Sequence, residues 1–220
     1  MSGEMAEAAG RLLRFDRLAR GGSRLLAGID EAGRGPLAGP LVASAVVLPP
    51  DAGAGGDGGP LAGVDDSKRL SDSSRRRLLP AIVRTAAAVG VGWVGNAEID
   101  SLGMAAACRL AFLRAHARLG VPVDLALVDG LPVSDLPFRC RFVVGGDSSS
   151  LSIACASVVA KVTRDDYMVR MDGVFPGYGF ASHKGYGTAG HMEALRRLGP
   201  TPIHRRSFAP LRDRQLELEL

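Results

Sequence analysis

Gly28-Ile29-Asp30-Glu31-Ala32-Gly33-Arg34-Gly35-Pro36-Leu37-Ala38-Gly39-Pro40 is the stretch on which the reading of this chain turns. Just upstream, Arg24-Leu25-Leu26-Ala27 opens a short apolar run that stops at two carboxylates, and just downstream residues 41–48 carry Leu41, Val42, Val46, Val47 and Leu48. Apolar run, glycine-rich turn, apolar run is the pattern of two strands, and their closeness predicts an antiparallel hairpin. An aspartate after a strand is ordinarily a turn or cap residue. Here the pattern recurs: residues 123–128 and 140–144 also read as strands, and each ends near an aspartate, Asp129 and Asp147.

The rest of the chain fits around these strands. Residues 5–19 place Leu12, Leu13, Phe15 and Leu18 at helical spacing among charges. Residues 51–63 include Gly53, Gly55, Gly56, Gly58, Gly59 and Gly63, which predicts a flexible surface loop. Ser71 or Asp72 can cap a helix reaching Ala88, with Arg75, Arg76 and Arg77 covering its face. A strand over 89–94 follows, then one long helix over 98–119 with Leu102, Ala106, Leu110 and Leu113 along a stripe. Residues 151–171 read as a buried Ala/Val-rich helix before a basic helical C-terminal region. Strands first, then strands alternating with helices, predict an α/β fold with a central mixed sheet flanked by helices. A single domain over residues 1–220 is expected, with its core over 24–208 and a short basic tail.

Composition narrows the function. With 220 residues and 46% apolar side chains there is material for one sizeable core. Lys+Arg of 27 against Asp+Glu of 23 gives a net charge of +4, which favours a polyanionic partner. Apolar runs of at most about eight residues exclude a spanning helix, and the mixed charges of the N-terminal segment exclude a secretion signal. Cys108, Cys140 and Cys155 show no CxxC spacing, so buried reduced thiols and a cytoplasmic location are expected.

Three or four carboxylates brought together from strand ends would repel one another and resist ionisation unless a cation compensates. Oxygen donors without a His or Cys pair suit Mg²⁺ or Mn²⁺ better than zinc. Two such ions suit phosphodiester hydrolysis. His116, His183, His191 and His204 lack HxxxH or HExxH spacing, and His204 reads as a packing or hydrogen-bonding residue. Trp93 reads as a lone core aromatic. A dinucleotide-binding loop at residues 33–39 is disfavoured, because Asp30 and Glu31 would repel a pyrophosphate and Pro36 lacks an amide donor. A serine hydrolase would need a G-x-S-x-G elbow, which is absent from the sequence. A non-catalytic basic nucleic-acid-binding protein is compatible with the charge; it would not cleave, whereas an enzyme would lose cleavage when its carboxylates are neutralised.

Residues 28–40 closely resemble the signature of the ribonuclease HII family. So do Asp66-Ser67-Lys68-Arg69-Leu70-Ser71, Leu127-Val128-Asp129-Gly130, and Gly146-Asp147 together with the run from Ser152 to Asp165. Lys184-Gly185-Tyr186-Gly187-Thr188 and Pro202-Ile203-His204-Arg205-Arg206-Ser207-Phe208 complete six segments in the family's order, spanning residues 24–208. The resemblance implies a ribonuclease H-like fold and an endoribonuclease that cuts the RNA strand of RNA–DNA hybrids. It also implies cutting 5′ of single ribonucleotides embedded in duplex DNA, leaving 3′-hydroxyl and 5′-phosphate ends.

By position, the catalytic and metal-binding carboxylates of that family carry over to Asp30, Glu31, Asp129 and Asp147, which would hold two ions of Mg²⁺ or Mn²⁺ during catalysis. Gly33-Arg34-Gly35 corresponds to the turn that reads the ribose 2′-hydroxyl and adjoining phosphate, and Tyr186 to the tyrosine that packs on the neighbouring deoxyribose. Glycines allow close backbone approach, and the Arg34 guanidinium is a planar fork for phosphate. Lys68 and Lys184, inside matched segments, are the first candidates for phosphate contact, followed by Lys161, Arg205 and Arg206. The sister ribonuclease HIII group carries a different turn and an extra N-terminal domain. Two positions depart from the family pattern: Ser149 stands where a lysine is common, and Gly103 where Asn is usual. Residues 215–220 lack the paired aromatics of a clamp-binding peptide, and a monomer with no membrane association is expected.

Overall fold

The computed structural model describes residues 2–52, 56–64 and 70–212. β1 (Leu26–Ala32) and β2 (Leu41–Val47) pair antiparallel, with Ile29 opposite Ala45 and Asp30 opposite Ser44, as the two apolar runs predict. β3 (Ala88–Val94) pairs antiparallel with β2. On the other side β4 (Leu125–Asp129) runs parallel to β1, and β5 (Cys140–Val143) parallel to β4. The result is the expected mixed sheet, in the order β3-β2-β1-β4-β5. β2 is buried along its whole length, so its sequence is continuously apolar instead of alternating.

Helices cover both faces. α1 (Ser2–Arg20), α2 (Asp72–Thr85) and α5 (Leu151–Val174) enclose one core, where Leu12, Leu78 and Ile82 meet Val46, Val158 and Val162. Ser71 caps α2 by accepting from the Ser74 amide at 3.1 Å. The start of α5 is fixed from a distance: buried Asp16 of α1 accepts from the Ser152 amide at 2.8 Å and from both the Ser150 and Ser152 hydroxyls. A carboxylate there satisfies donors that the helix leaves open and complements its dipole. On the opposite face, α4 (Met104–Ala117) sets Ala111, Phe112 and Ala115 against Ile29, Ala45 and Val128. α6 (Phe180–His183) and α7 (Ala189–Leu198) form the helical C-terminal region, with Phe180 and Leu195 packed on Met168 and Ile203.

Several expectations need correction. The helix expected over 98–119 is two, α3 (Asn96–Leu102) and α4, because Gly103 adopts φ 76° and ψ 162°, which no helix continues through. The second helix therefore starts a new phase, and its buried face is Ala107, Cys108, Ala111, Phe112 and Ala115; Leu102 is exposed. Leu18 is exposed as well, so the apolar face of α1 is carried by Leu12 and Leu13. Within the glycine-rich loop of residues 51–63, Gly56–Leu61 forms a 3-10 turn, and Leu61 with Val64 is fully buried in the core under α1 and α2. Two apolar side chains thus hold that segment down, against the surface loop its glycines suggest; residues 53–55 lie outside the described residues. Cys108 and Cys155 are buried and free, whereas Cys140 is half-buried. Trp93 is half-buried too and meets the Tyr167 ring edge-on at 5.8 Å. Among the described residues no helix is long and apolar enough to cross a membrane.

Candidate active site

The parallel pairing of β1 and β4 builds the site. Ile29 stands opposite Val128 as the last β1–β4 pair, so the next residues, Asp30 and Asp129, come side by side at the same end of these two strands, Asp30 still paired with Ser44 of β2 and Asp129 with Val143 of β5. Side chains alternate along a strand. Leu127 faces α5, where it meets Ile153, and Asp129, two residues on, shares that side. The strand end is followed by β5 and a single 3-10 turn, Gly146–Ser148, that carries buried Asp147. The Gly146 amide donates to Asp129 Oδ1 at 2.6 Å, which ties this turn to the β4 carboxylate.

Asp30, Glu31, Asp129 and Asp147 all line one cavity of about 280 Å³, together with Gly33-Arg34-Gly35 and Tyr186. The four carboxylates singled out in the sequence therefore share one site. Burial pushes the Asp30 carboxyl well above the usual carboxylate range, and the neighbouring Glu31 and Asp129 push it further; a hydrogen bond with Ser157 and the Glu31 amide at 2.7 Å act the other way. Glu31 is raised mainly by burial, opposed by the Arg34 guanidinium 3.3 Å away. Acids crowded into a low-dielectric pocket in this way are relieved by a cation. Their donors are all oxygen, which fits a hard divalent ion. Among the described residues no three His, Cys, Asp or Glu side chains are already gathered into a ligand cage.

The glycine-containing turn is held from below by two buried arginines. Arg164 donates to Pro40 O at 3.0 Å and Ala38 O at 3.1 Å. Arg205 donates to Gly39 O at 3.0 Å, Arg34 O at 3.0 Å and Gly33 O at 2.6 Å. Gly33 has φ 98°, and a Cβ there would stand 2.2 Å from Arg164 Nε, so both its conformation and its contact require glycine. Arg205 is consequently not the phosphate contact its charge suggests: it is fully buried and directed at carbonyl oxygens. Burial, then Arg164, pushes its pKa down to about 9, which leaves it protonated at neutral pH.

The other cations divide. Lys161 lines the cavity and lies 3.9 Å from Asp165. Lys184 does not line it; its ammonium donates to Ala181 O. The Arg206 amide is bound by Asp100 while the residue itself is exposed. Lys68 lies outside the described residues, as do 213–220. The Ser149 hydroxyl donates to Gly145 O at 3.2 Å.

Ser157, Arg164 and Asp165 also line the cavity, and sequence reasoning gave them no role. A signal was available: with Lys161 they recur at helical spacing on one face of α5, where buried polar side chains need partners.

The ribonuclease HII family model matches residues 27–211. The chain is 51% identical to the ribonuclease HII of Syntrophotalea carbinolica over 197 residues, covering 90% of this chain and 91% of that protein. It is 49% identical to that of Geobacter metallireducens over 200 residues, covering 90% and 91%. Among solved structures, the ribonuclease H2 of Pyrococcus horikoshii superposes with a TM-score of 0.70 at 24% identity, over 89% of this chain and 99% of that one. The ribonuclease HII of Archaeoglobus fulgidus, solved in a complex with PCNA, gives 0.67 at 25% identity, over 82% and 93%. Bst-RNase HIII in complex with Mn²⁺ gives 0.65 at 22% identity, over 96% and 72%. Sheet order, the strand-end carboxylates and these matches agree: the chain belongs to the ribonuclease HII family and is an enzyme of the ribonuclease H type.

Proposed function

We propose that this enzyme cuts the RNA strand of RNA–DNA hybrids and nicks duplex DNA 5′ of a single embedded ribonucleotide, leaving 3′-hydroxyl and 5′-phosphate ends. The observation that carries the reading is one cavity shared by Asp30, Glu31, Asp129 and Asp147 with the Gly33-Arg34-Gly35 turn and Tyr186. The carboxylates would hold two divalent ions, Mg²⁺ or Mn²⁺. Bound there, the ions would lower the pKa of an attacking water and support the departing 3′-oxygen, so no general-base side chain is required.

The chain's own residues do the rest. Gly35, where a Cβ would face only the Tyr186 ring, lets a ribose approach the backbone, Gly33 permits the turn that presents it, and Arg34, 62% exposed at its side chain, presents its guanidinium to phosphate while countering Glu31. The 2′-hydroxyl is the feature that distinguishes one ribonucleotide in DNA, so a turn that admits close contact suits its recognition. Tyr186, 45% exposed, offers a ring face on which a sugar lacking that hydroxyl can pack. Lys161 would supply positive charge beside the acids, and Lys68 and Lys184 would contact phosphates flanking the cavity. We further take the enzyme to be a cytoplasmic monomer of one catalytic domain.

Incubation with duplex DNA containing one ribonucleotide, with Mg²⁺, with Mn²⁺ and with a chelator, tests the reading. Metal-dependent nicking that Asp30→Asn or Asp129→Asn abolishes, with duplex binding retained in Ca²⁺, is the expected result. Binding without cleavage of this duplex or a continuous hybrid would leave a non-catalytic nucleic-acid-binding protein.

A further inference from the structure

Beneath the loop that presents Tyr186 lie three histidines whose hydrogen bonds determine one another. The Thr201 amide donates to His204 Nδ1 at 2.8 Å, so that nitrogen is an acceptor and His204 carries its proton on Nε2. His204 Nε2 lies 3.0 Å from His191 Nε2, which must therefore accept. His191 then carries its proton on Nδ1, and Nδ1 is 2.9 Å from Tyr186 O, which it can only satisfy as a donor. His191 and His204 are buried at 0% and 1% exposure, so water does not substitute for any of these partners. The third ring, His183, stacks on His191 at 4.5 Å; its Nδ1 accepts from the Gly185 amide at 3.1 Å, and its Nε2 meets Tyr178 O at 2.7 Å.

From this geometry we infer that His191 and His204 are positioning residues for ribonucleotide recognition: a chain of fixed tautomers from Thr201 to the Tyr186 carbonyl holds the tyrosine at its place above the cavity. The inference rests on the proposed role of Tyr186. The connection reaches the other half of the recognition surface as well. His204 bridges to Ala38, and its neighbour Arg205 holds the Gly33 and Arg34 carbonyls. Leu37 N donates to Gly185 O at 2.8 Å. Adjacent residues 204 and 205 thus set both the turn and the tyrosine, so their separation is fixed by short hydrogen bonds. The titratable groups facing His204 are His191 from α7, His183 from α6 and Tyr178 at 5.5 Å between rings, with the Arg205 guanidinium directed away to the turn. Burial, then His191, pushes the His204 pKa down to about 4, in keeping with a neutral relay.

The test is a double-mutant cycle read as the ratio of cleavage of a single-ribonucleotide duplex to cleavage of a continuous RNA–DNA hybrid, which divides out the chemical step. His191→Phe removes the donor to Tyr186 O and is expected to lower the ratio about fivefold, the worth of one hydrogen bond. His191→Asn keeps an N–H near the Nδ1 position and is expected to retain the ratio. In a Tyr186→Ala background, His191→Phe is expected to change it no further. If Tyr186→Ala leaves the ratio unchanged, the assigned role of Tyr186 fails; if Tyr186→Ala lowers it and His191→Phe does not, the positioning role fails. Imidazole nitrogen NMR of the unsubstituted protein is independent of how the variants fold. It should find His191 as the Nδ1–H tautomer and His204 as the Nε2–H tautomer at neutral pH, and the opposite tautomer at His191 would overturn the relay.

Discussion

Asp30 and Asp129, ninety-nine positions apart, each stand one residue beyond Ile29 and Val128, the last paired positions of two parallel strands. Parallel pairing puts both carboxylates at the same end of the sheet, and the two-residue alternation puts both on the side facing α5. Ligands of open α/β sheets gather at this end, beyond the carboxyl ends of the strands. The location of the site is thus a consequence of strand direction.

Neutralising one of these acids trades activity for stability. Asp30 is one of the proposed metal-holding carboxylates, so Asp30→Asn is expected to abolish metal-dependent cleavage, and burial with Glu31 and Asp129 raises its carboxyl pKa, so the neutral amide is better tolerated there. In metal-free buffer the variant should be more stable than the parent, by about 1 kcal/mol. Divalent ions should raise the melting temperature of the parent more than that of the variant, which keeps Glu31, Asp129 and Asp147 but has lost one of the four carboxylates. Thermal unfolding with and without Mg²⁺ measures both effects.

Arg205 holds three carbonyls of the substrate-facing turn, at Gly33, Arg34 and Gly39. Arg205→Met should leave these acceptors without their donors at a cost of about 3 kcal/mol. Where the protein still folds, cleavage at a single ribonucleotide should fall more than cleavage of a continuous hybrid. Denaturant titration and paired nicking assays check the two halves. Equal losses on both substrates would make Arg205 a purely structural residue.

His204 gives stability a pH dependence of definite sign. Its folded pKa of about 4 lies below the ordinary 6.5, so the unfolded chain takes up the proton first. The stability of the neutral form is complete above 6.5 and is lost as pH falls toward 4. The difference in melting temperature between pH 7.5 and 4.5 should be larger in the parent than in His204→Phe, on the order of 5 °C. Differential scanning calorimetry at matched ionic strength reads it.

Gly103 joins α3 to α4 at φ 76° and ψ 162°, with nothing within 4 Å of the place a Cβ would occupy. Space is therefore not the constraint; the backbone region is, and it is essentially restricted to glycine. Both Gly103→Ala and Gly103→Asn should destabilise by about 1–3 kcal/mol. Gly103 itself lines neither of the cavities bordered by Glu31 and Asp129, so the activity of the folded fraction should change little. Chemical denaturation followed by assay of folded enzyme distinguishes the two.

The sequence by itself determined the strands, the starts of α2 and α5 and the identities of the four acids, because these depend on local chemistry. Apolar runs stopped by carboxylates, Ser71 ahead of a helix, and a glycine turn after Asp30 and Glu31 are legible within a few residues. Gly103 was legible too, but only its φ reveals that the helix ends there. Tertiary structure alone decided what long-range pairing controls. It set which side of the sheet Asp129 faces and sent the Arg205 charge inward to the turn. It also buried Leu61 despite the glycines around it and joined His191 to His204. The physical reason is register: a side chain's neighbours across a sheet or beneath a loop are set by how distant segments dock, and a one-residue slip reverses the face.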